Sequence, residues 1–494
     1  MRHSGILILF LCIAWAASAQ KAGFDFNQNC RDAYRAVLRY DLETADRLTK
    51  QEYAQNPLNA FPLYLENYGH FLKAMVRDEK KVLDEYSSAS ELRLERLKES
   101  DDNSPYYRFC LAEIHIQNAM LLIKQGSFLQ GAIQLRQCYR HLEANMKAHP
   151  NFLLTGKTLY PLRALIGAVP SNYRWLLSLL GYEADLTEAI RKCENLRQDI
   201  RENDTLAIYY RESTIILCFL QLNLMNNSDE AWRLGKEATP DHARNELSAF
   251  VRGNIAINLK KNEEALAILR PHVQSAPAIP HLDYLMGNAT LQKLQPQART
   301  YFLRYTKKYK GGNYIKDSYL RIGWSYLLEQ DTASYRKFML ITEREGSGVR
   351  DEDKQAMKEI SMDYVAVPYL LKSRLLFDGG YYALALKELE ATSPAQAEEH
   401  GKLSEYYYRR ARIYHHSGKA EQALHNYKRV INTSKNSNTY FAPASCYFSG
   451  LIYEEQGNAE KAAAMFNACL AYDNYSYKKS FDQKATAALK RIQP

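Results

Sequence analysis

The sequence predicts an all-α solenoid of stacked helix-turn-helix units, and three features of the chain point to it. One pattern is written twice between Tyr406 and Leu470. Its first copy is Ala411, Tyr414, Gly418, Ala423 and Tyr427; its second is Gly450, Tyr453, Gly457, Ala462 and Phe466, with identical steps of 3, 4, 5 and 4 residues. A small residue equivalent to Ala411 recurs upstream at Gly253, Gly287, Gly323 and Ser373, and Gly253 to Gly287 is 34 residues. Finally, no stretch of useful length alternates apolar and polar residues as a half-buried strand requires.

The spacing has a mechanical reason. A small residue on the first helix lets the second approach closely, and Ala423 or Ala462 fills the facing position. The aromatic four residues later shares that face and fills the gap to the next unit. Glycine suits the turn, where a left-handed conformation costs it little. Neither helix pair can bury its apolar stripe alone, so neighbours must stack. This pattern of small-x2-aromatic, turn glycine and Ala-x3-aromatic resembles the tetratricopeptide (TPR) repeat. The resemblance implies a TPR-like α-solenoid, a right-handed superhelix whose first helices line a concave groove for peptides or protein surfaces. It is firm from Gly253 to Leu470, weaker around Ala33–Pro57 and Ala119–Leu135, and absent from Asn151–Asp185.

In order along the chain, residues 1–19 read as a secretory signal peptide. Arg2 supplies the charge, Ile6–Ala17 the apolar run, and Ala17-Ser18-Ala19 a cleavage signature before Gln20. The run is too short to span a bilayer, and no later stretch is apolar enough to do so. The expectation is an exported protein, periplasmic or extracellular, with no transmembrane segment and at most peripheral envelope association. Residues 20–150 read as degenerate TPR-like repeats: Ala33 and Ala36, then Leu42 and Ala45, then Ala119, Leu122, Gly126, Phe128, Gly131 and Leu135. Residues 151–245 read as an irregular helical connector, interrupted at Leu159-Tyr160-Pro161 and Val169-Pro170-Ser171. Asp185 with Glu188 has the form of a capping box.

Residues 246–400 carry the central repeats, with Gly346–Asp353 expected as an exposed loop and Lys354–Asp363 as an extra helix. Residues 401–494 carry the C-terminal repeats. Their step lengthens: Ser373 to Ala411 is 38 residues and Ala411 to Gly450 is 39.

The net charge of +9 permits attraction to acidic partners without specifying one. The 37 tyrosines recur on helical segments, where they suit the wedges between stacked helix pairs. Seven cysteines follow the signal, widely spaced and without a C-x2-C or Cys/His pairing, so buried thiols are expected rather than a zinc site. No H-E-x-x-H, phosphate-binding loop or G-x-S-x-G elbow is present, and neither cofactor nor metal is expected. His415 and His416 are adjacent and point about 100° apart on a helix, which does not suit a shared metal. His416 reads as a helix C-terminal residue favoured by the dipole. The basic-aromatic stretch Arg299–Tyr314 reads as a second helix with Phe302 and Tyr305 buried and lysines wet, rather than as a nucleic-acid site.

Carried over position by position, the resemblance places Arg374, Phe377, Tyr408, Arg412, His415, Tyr447 and Glu454 in the groove. Arg374 and Arg412 each follow the small residue of their repeat, so they are equivalent in successive units. Paired arginines flanked by Tyr408 and Tyr447 suit an acidic or C-terminal carboxylate ligand, because a guanidinium binds carboxylates in bidentate fashion. In chaperone-tail TPRs a Lys/Asn clamp does this work, and Arg412 stands where the helix-A Asn would be. The expected function is an exported, non-catalytic scaffold for a protein or peptide partner. The alternatives are an envelope-assembly component that self-associates, and an enzyme with a pocket near Trp175–Tyr182.

Overall fold

The computed structural model describes residues 21–169, 184–361, 366–434 and 438–492. Among them α-helices follow one another with no strand, most as packed pairs. They are α1 (Gln28–Leu38) with α2 (Leu42–Gln55), α3 (Phe61–Arg77) with α4 (Lys80–Lys98), α5 (Pro105–Lys124) with α6 (Phe128–Ala148), and α7 (Leu154–Gly167) with α8 (Leu186–Glu202). Then come α9 (Tyr210–Asn223) with α10 (Ser228–Ala238), α11 (Glu246–Asn258) with α12 (Asn262–Leu269), α13 (His281–Gln292) with α14 (Ala298–Lys308), and α15 (Ile315–Leu328) with α16 (Thr332–Arg344). The insert α17 (Asp351–Ser361) precedes α18 (Pro368–Asp378) with α19 (Tyr382–Glu390) and the short α20 (Pro394–Glu399). The last pairs are α21 (Leu403–His416) with α22 (Ala420–Thr433) and α23 (Phe441–Glu455) with α24 (Ala459–Leu470), closed by α25 (Lys478–Ile492).

The small residues do what their spacing demands. A Cβ on Gly450 would lie 2.5 Å from the Phe466 ring, and one on Gly287 2.8 Å from Phe302. Ala411, Ala423, Ala462 and Phe466 are buried, as are Phe302 and Tyr305. Helix pairs share a turn with one left-handed residue: Gly418 and Gly457 in the two matched repeats, Gly126 and Gly380 in two others, and Tyr40, Asn226, Lys260, Leu294 and Gln330 in five more. The turn outlives its glycine.

Several expectations are corrected. Leu154–Gly167, read as part of the irregular connector, is a regular helix that continues through Pro161 and pairs with α8. Asp185 caps α8 by accepting from the Glu188 N–H at 2.7 Å, while the Glu188 carboxylate pairs with Lys192 instead of closing a capping box. The exposed loop expected up to Asp353 ends earlier. Helix α17 starts at Asp351, and Asp353 is buried because its carboxylate accepts from the N–H groups of Tyr314 (2.6 Å) and Asp317 (3.1 Å).

The chain also returns on itself. Asp78, the left-handed cap of α3, receives hydrogen bonds from the Tyr309 hydroxyl (2.5 Å) and Asn313 (2.8 Å), and pairs with Lys124 at 3.1 Å. Asn245 donates to the Arg39 carbonyl at 3.2 Å, and Val76 belongs to the central apolar core. Farther in, Lys157 is buried between Glu113 (2.9 Å) and Glu212 (3.1 Å). The hydroxyls of Tyr34 and Tyr68 donate to Glu212 and that of Thr158 to Glu113, which joins α1, α3, α5, α7 and α9. The cysteines at 30, 110, 138, 193, 218, 446 and 469 are all buried free thiols.

Candidate partner-binding groove

Three helices present matching rows of side chains to one space. On α18 the row is Arg374, Phe377 and Asp378; on α21 it is Glu405, Tyr408, Arg409 and Arg412; on α17 it is Gln355, Lys358 and Glu359. Steps of three and four residues put each row on a single helix face. Between α18 and α21 the rows enclose a cavity of about 260 Å³, to which Lys260 and Tyr440 also contribute. It shares Arg374, Arg409 and Tyr440 with a larger cavity of about 530 Å³ that runs past α17 to Tyr477, Phe481 and Lys484 on the α25 side. Seven lysines and arginines line the two cavities against three carboxylates, a formal excess of four positive charges.

The cations are held differently. Arg374 donates to Glu359 at 2.8 Å and lies 4.9 Å from the Trp324 ring. Burial works against its charge, but Glu359 and Asp378 outweigh that and keep its pKa well above the usual range. Arg409 pairs with Glu405 on its own helix. Lys260 sits 4.4 Å over Phe377 and 3.4 Å from Asp378. Arg412 has no carboxylate partner among the described residues. Its guanidinium lies 3.7 Å from the Phe448 ring and 5.4 Å from Phe377, its Nη2 is 3.1 Å from the His416 Nε2, and its Nε is buried without a partner. A cation stacked between rings and left without a carboxylate favours an incoming anion.

His416 is therefore not the charged helix terminus expected. Burial, then Arg412 and Lys260, drive its pKa down to about 3, and burial with Arg412 takes His415 to about 4. Both imidazoles are neutral at physiological pH.

Of the seven residues placed in the groove by sequence, Arg374, Phe377, Tyr408 and Arg412 line the smaller cavity together. The other three do not. His415 packs against Tyr427 and Phe448, at ring distances of 6.1 and 6.2 Å. Tyr447 is wedged among Phe448, Phe466 and Phe481, and Glu454 takes a bidentate bond from Arg491 at 2.9 and 2.8 Å. Helix α25 covers that end, which the repeat pattern alone does not announce. Sequence reading also passed over Arg409, Glu359 and Lys260. Arg409 was readable, since it continues the Glu405, Tyr408, Arg412 row. Lys260 carries no such signal. It arrives because the α11–α12 turn packs on the α18–α19 turn, where Asn262 and Glu263 bond the Tyr381 hydroxyl at 3.0 and 2.7 Å.

The region Trp175–Tyr182, weighed as an enzyme pocket, lies outside the described residues. Among the described residues no group of three or more His, Cys, Asp or Glu side chains is placed to hold a metal ion, and no helix is long and apolar enough to cross a membrane.

Helix pairs stacked on small-to-aromatic contacts define a helical-repeat solenoid. Residues 404–437 and 443–475 match the tetratricopeptide repeat. Among solved structures, it is similar to the human IFIT1 dimer with PPP-AAAA at 12% identity, over 90% of this chain and 95% of that one, with a TM-score of 0.37. The human IFIT1 dimer with m7Gppp-AAAA matches at 11% identity over 90% of each chain, TM-score 0.37. A chain of the Naa15/Naa10 complex bound to HypK-THB matches at 12% identity over 94% of this chain and 66% of that one, TM-score 0.26. No curated protein matches the sequence.

Proposed function

We propose that this chain is an exported, non-catalytic scaffold that holds an acidic segment of a partner protein in the groove between α17, α18, α21 and α25. The observation that carries the reading is Arg412, a stacked guanidinium with no carboxylate partner among the described residues, facing a cavity with Arg374, Arg409 and Lys260. The excess of cations attracts an anionic segment, and the aromatic faces of Phe377, Tyr408 and Tyr440 give its apolar stems a surface. Export is supported by the signal-like N-terminus, residues 1–19. A secreted chain lighter by residues 1–19 agrees with that part; one that retains Met1 refutes it.

The groove is tested by fluorescence anisotropy with a labelled oligoglutamate peptide. The Arg374→Ala, Arg412→Ala double variant should bind at least about tenfold more weakly, because each charge-assisted hydrogen bond contributes about 1.5–3 kcal/mol. Wild-type binding should also weaken with added salt. Equal affinity for wild type and a still-folded double variant rejects the groove.

A further inference from the structure

Helix α17 stands outside the repeat pattern, between α16 and α18, and packs on α15 and α16. Its hold on the rest of the molecule is thin. Among its described side chains only Asp353 and Ala356 are fully buried, and the Asp353 carboxylate does the anchoring at the start of α15. One alanine and a buried carboxylate are a weak apolar anchor for three turns of helix. Ile360 adds one partly buried apolar contact with the central core, and on the groove side Glu359 pairs with Arg374 while Lys358 lies 4.6 Å from the Tyr477 ring centre.

Glu359 gives Arg374 its carboxylate at 2.8 Å, with 10% of the Glu359 side chain exposed. This differs from the pair formed by Arg409, whose partner Glu405 lies four residues away on the same helix. Arg374 takes its counter-charge from a segment that the repeat does not include. Of α17, Gln355, Lys358 and Glu359 line the groove, so Glu359 is the carboxylate that this helix presents to it. Gly346 packs against Ile315, but Gly348, where a Cβ would meet nothing, lies between that contact and the helix and gives the chain latitude there.

We infer that α17 is an internal occupant of the groove: Glu359 stands on Arg374 in the place of a partner carboxylate, and the acidic partner binds by displacing it. The inference rests on the acidic-partner reading above and adds its regulation. Binding is then taxed by the closed form, and any change that loosens Glu359 raises apparent affinity without adding a contact to the ligand. The partner group at this position is a carboxylate-like anion, since it replaces a glutamate whose Oε1 accepts from Arg374 Nη1.

Glu359→Gln keeps the size of the side chain and removes its charge, so with oligoglutamate as the probe the variant should bind about tenfold tighter than wild type. A second measurement leaves the wild-type chain untouched. Amide hydrogen exchange across residues 351–361 should rise when oligoglutamate is added, while exchange in α18 and α21 slows. If wild type binds the peptide but Glu359→Gln binds no tighter, the occupant role is wrong. If peptide makes 351–361 more protected, α17 is a wall that closes on ligand, and the inference is overturned. Should neither protein bind oligoglutamate, the acidic-partner reading itself falls, and this one with it.

Discussion

His281 is held in a ring of aromatics, with centroid distances of 4.8 Å to Tyr309, 5.3 Å to Tyr305, 5.8 Å to Tyr314 and 6.2 Å to Phe250. Burial, then the charges of Lys124 and Arg350, drive its pKa down to about 3. The folded chain therefore keeps this imidazole neutral, whereas the unfolded chain protonates it below about pH 6.5. The stability it contributes is complete above that pH and is lost as pH falls toward the folded value. In His281→Phe the drop in melting temperature between pH 7 and pH 5 should be smaller than in wild type; an unchanged drop would mean that the folded imidazole is already charged. At this scale part of the site was legible. Arg374 and Arg412 follow the small residues of their repeats, and the same face of each helix then carries Phe377 on α18 and Tyr408 on α21. Lys260 was not legible, because turn-to-turn packing across 118 residues brings it to Asp378.

The repeated element is better defined by its turn than by its letters. Glycine marks the turn at Gly418 and Gly457, yet Gln330 takes the same left-handed conformation at φ 65° with an exposed side chain. A side chain there costs about 1–2 kcal/mol, partly offset because glycine gains freedom in the unfolded chain. Gln330→Gly should thus raise stability by about 0.5–1 kcal/mol, read as a higher urea midpoint with unchanged slope. The α1–α2 pair reads faintly in part because Tyr40 stands at its turn, whereas α5 with α6 keeps Gly126 there at φ 83°. Helix α7 was hidden for another reason. Pro161 suggested a break, but neighbours that pack a helix from both sides override that local preference. Helix α17 was placed a few residues late because nothing in its sequence tells that Asp353 caps another helix.

For the whole molecule, the decisive contact is the one around Asp78. Lys124 is itself buried, and burial lowers its pKa against the opposing pull of Asp78. Asp78→Ala would leave that ammonium without its carboxylate and the Tyr309 and Asn313 donors without an acceptor, a loss of about 3–5 kcal/mol. Urea unfolding of this variant should separate into two steps, with residues 21–150 becoming protease-sensitive first. A single cooperative transition at the wild-type midpoint would show that the two regions are joined by other means. The same contact matters during synthesis. Repeat arrays ordinarily settle unit by unit as they emerge, since each touches only its neighbours. Here Tyr309 lies 231 residues after Asp78. At about 5–20 residues per second, the early helices must wait on the order of ten to fifty seconds for their partner. For that interval their central-facing surface is bare, and a nascent-chain chaperone has a defined stretch and a defined time in which to be needed.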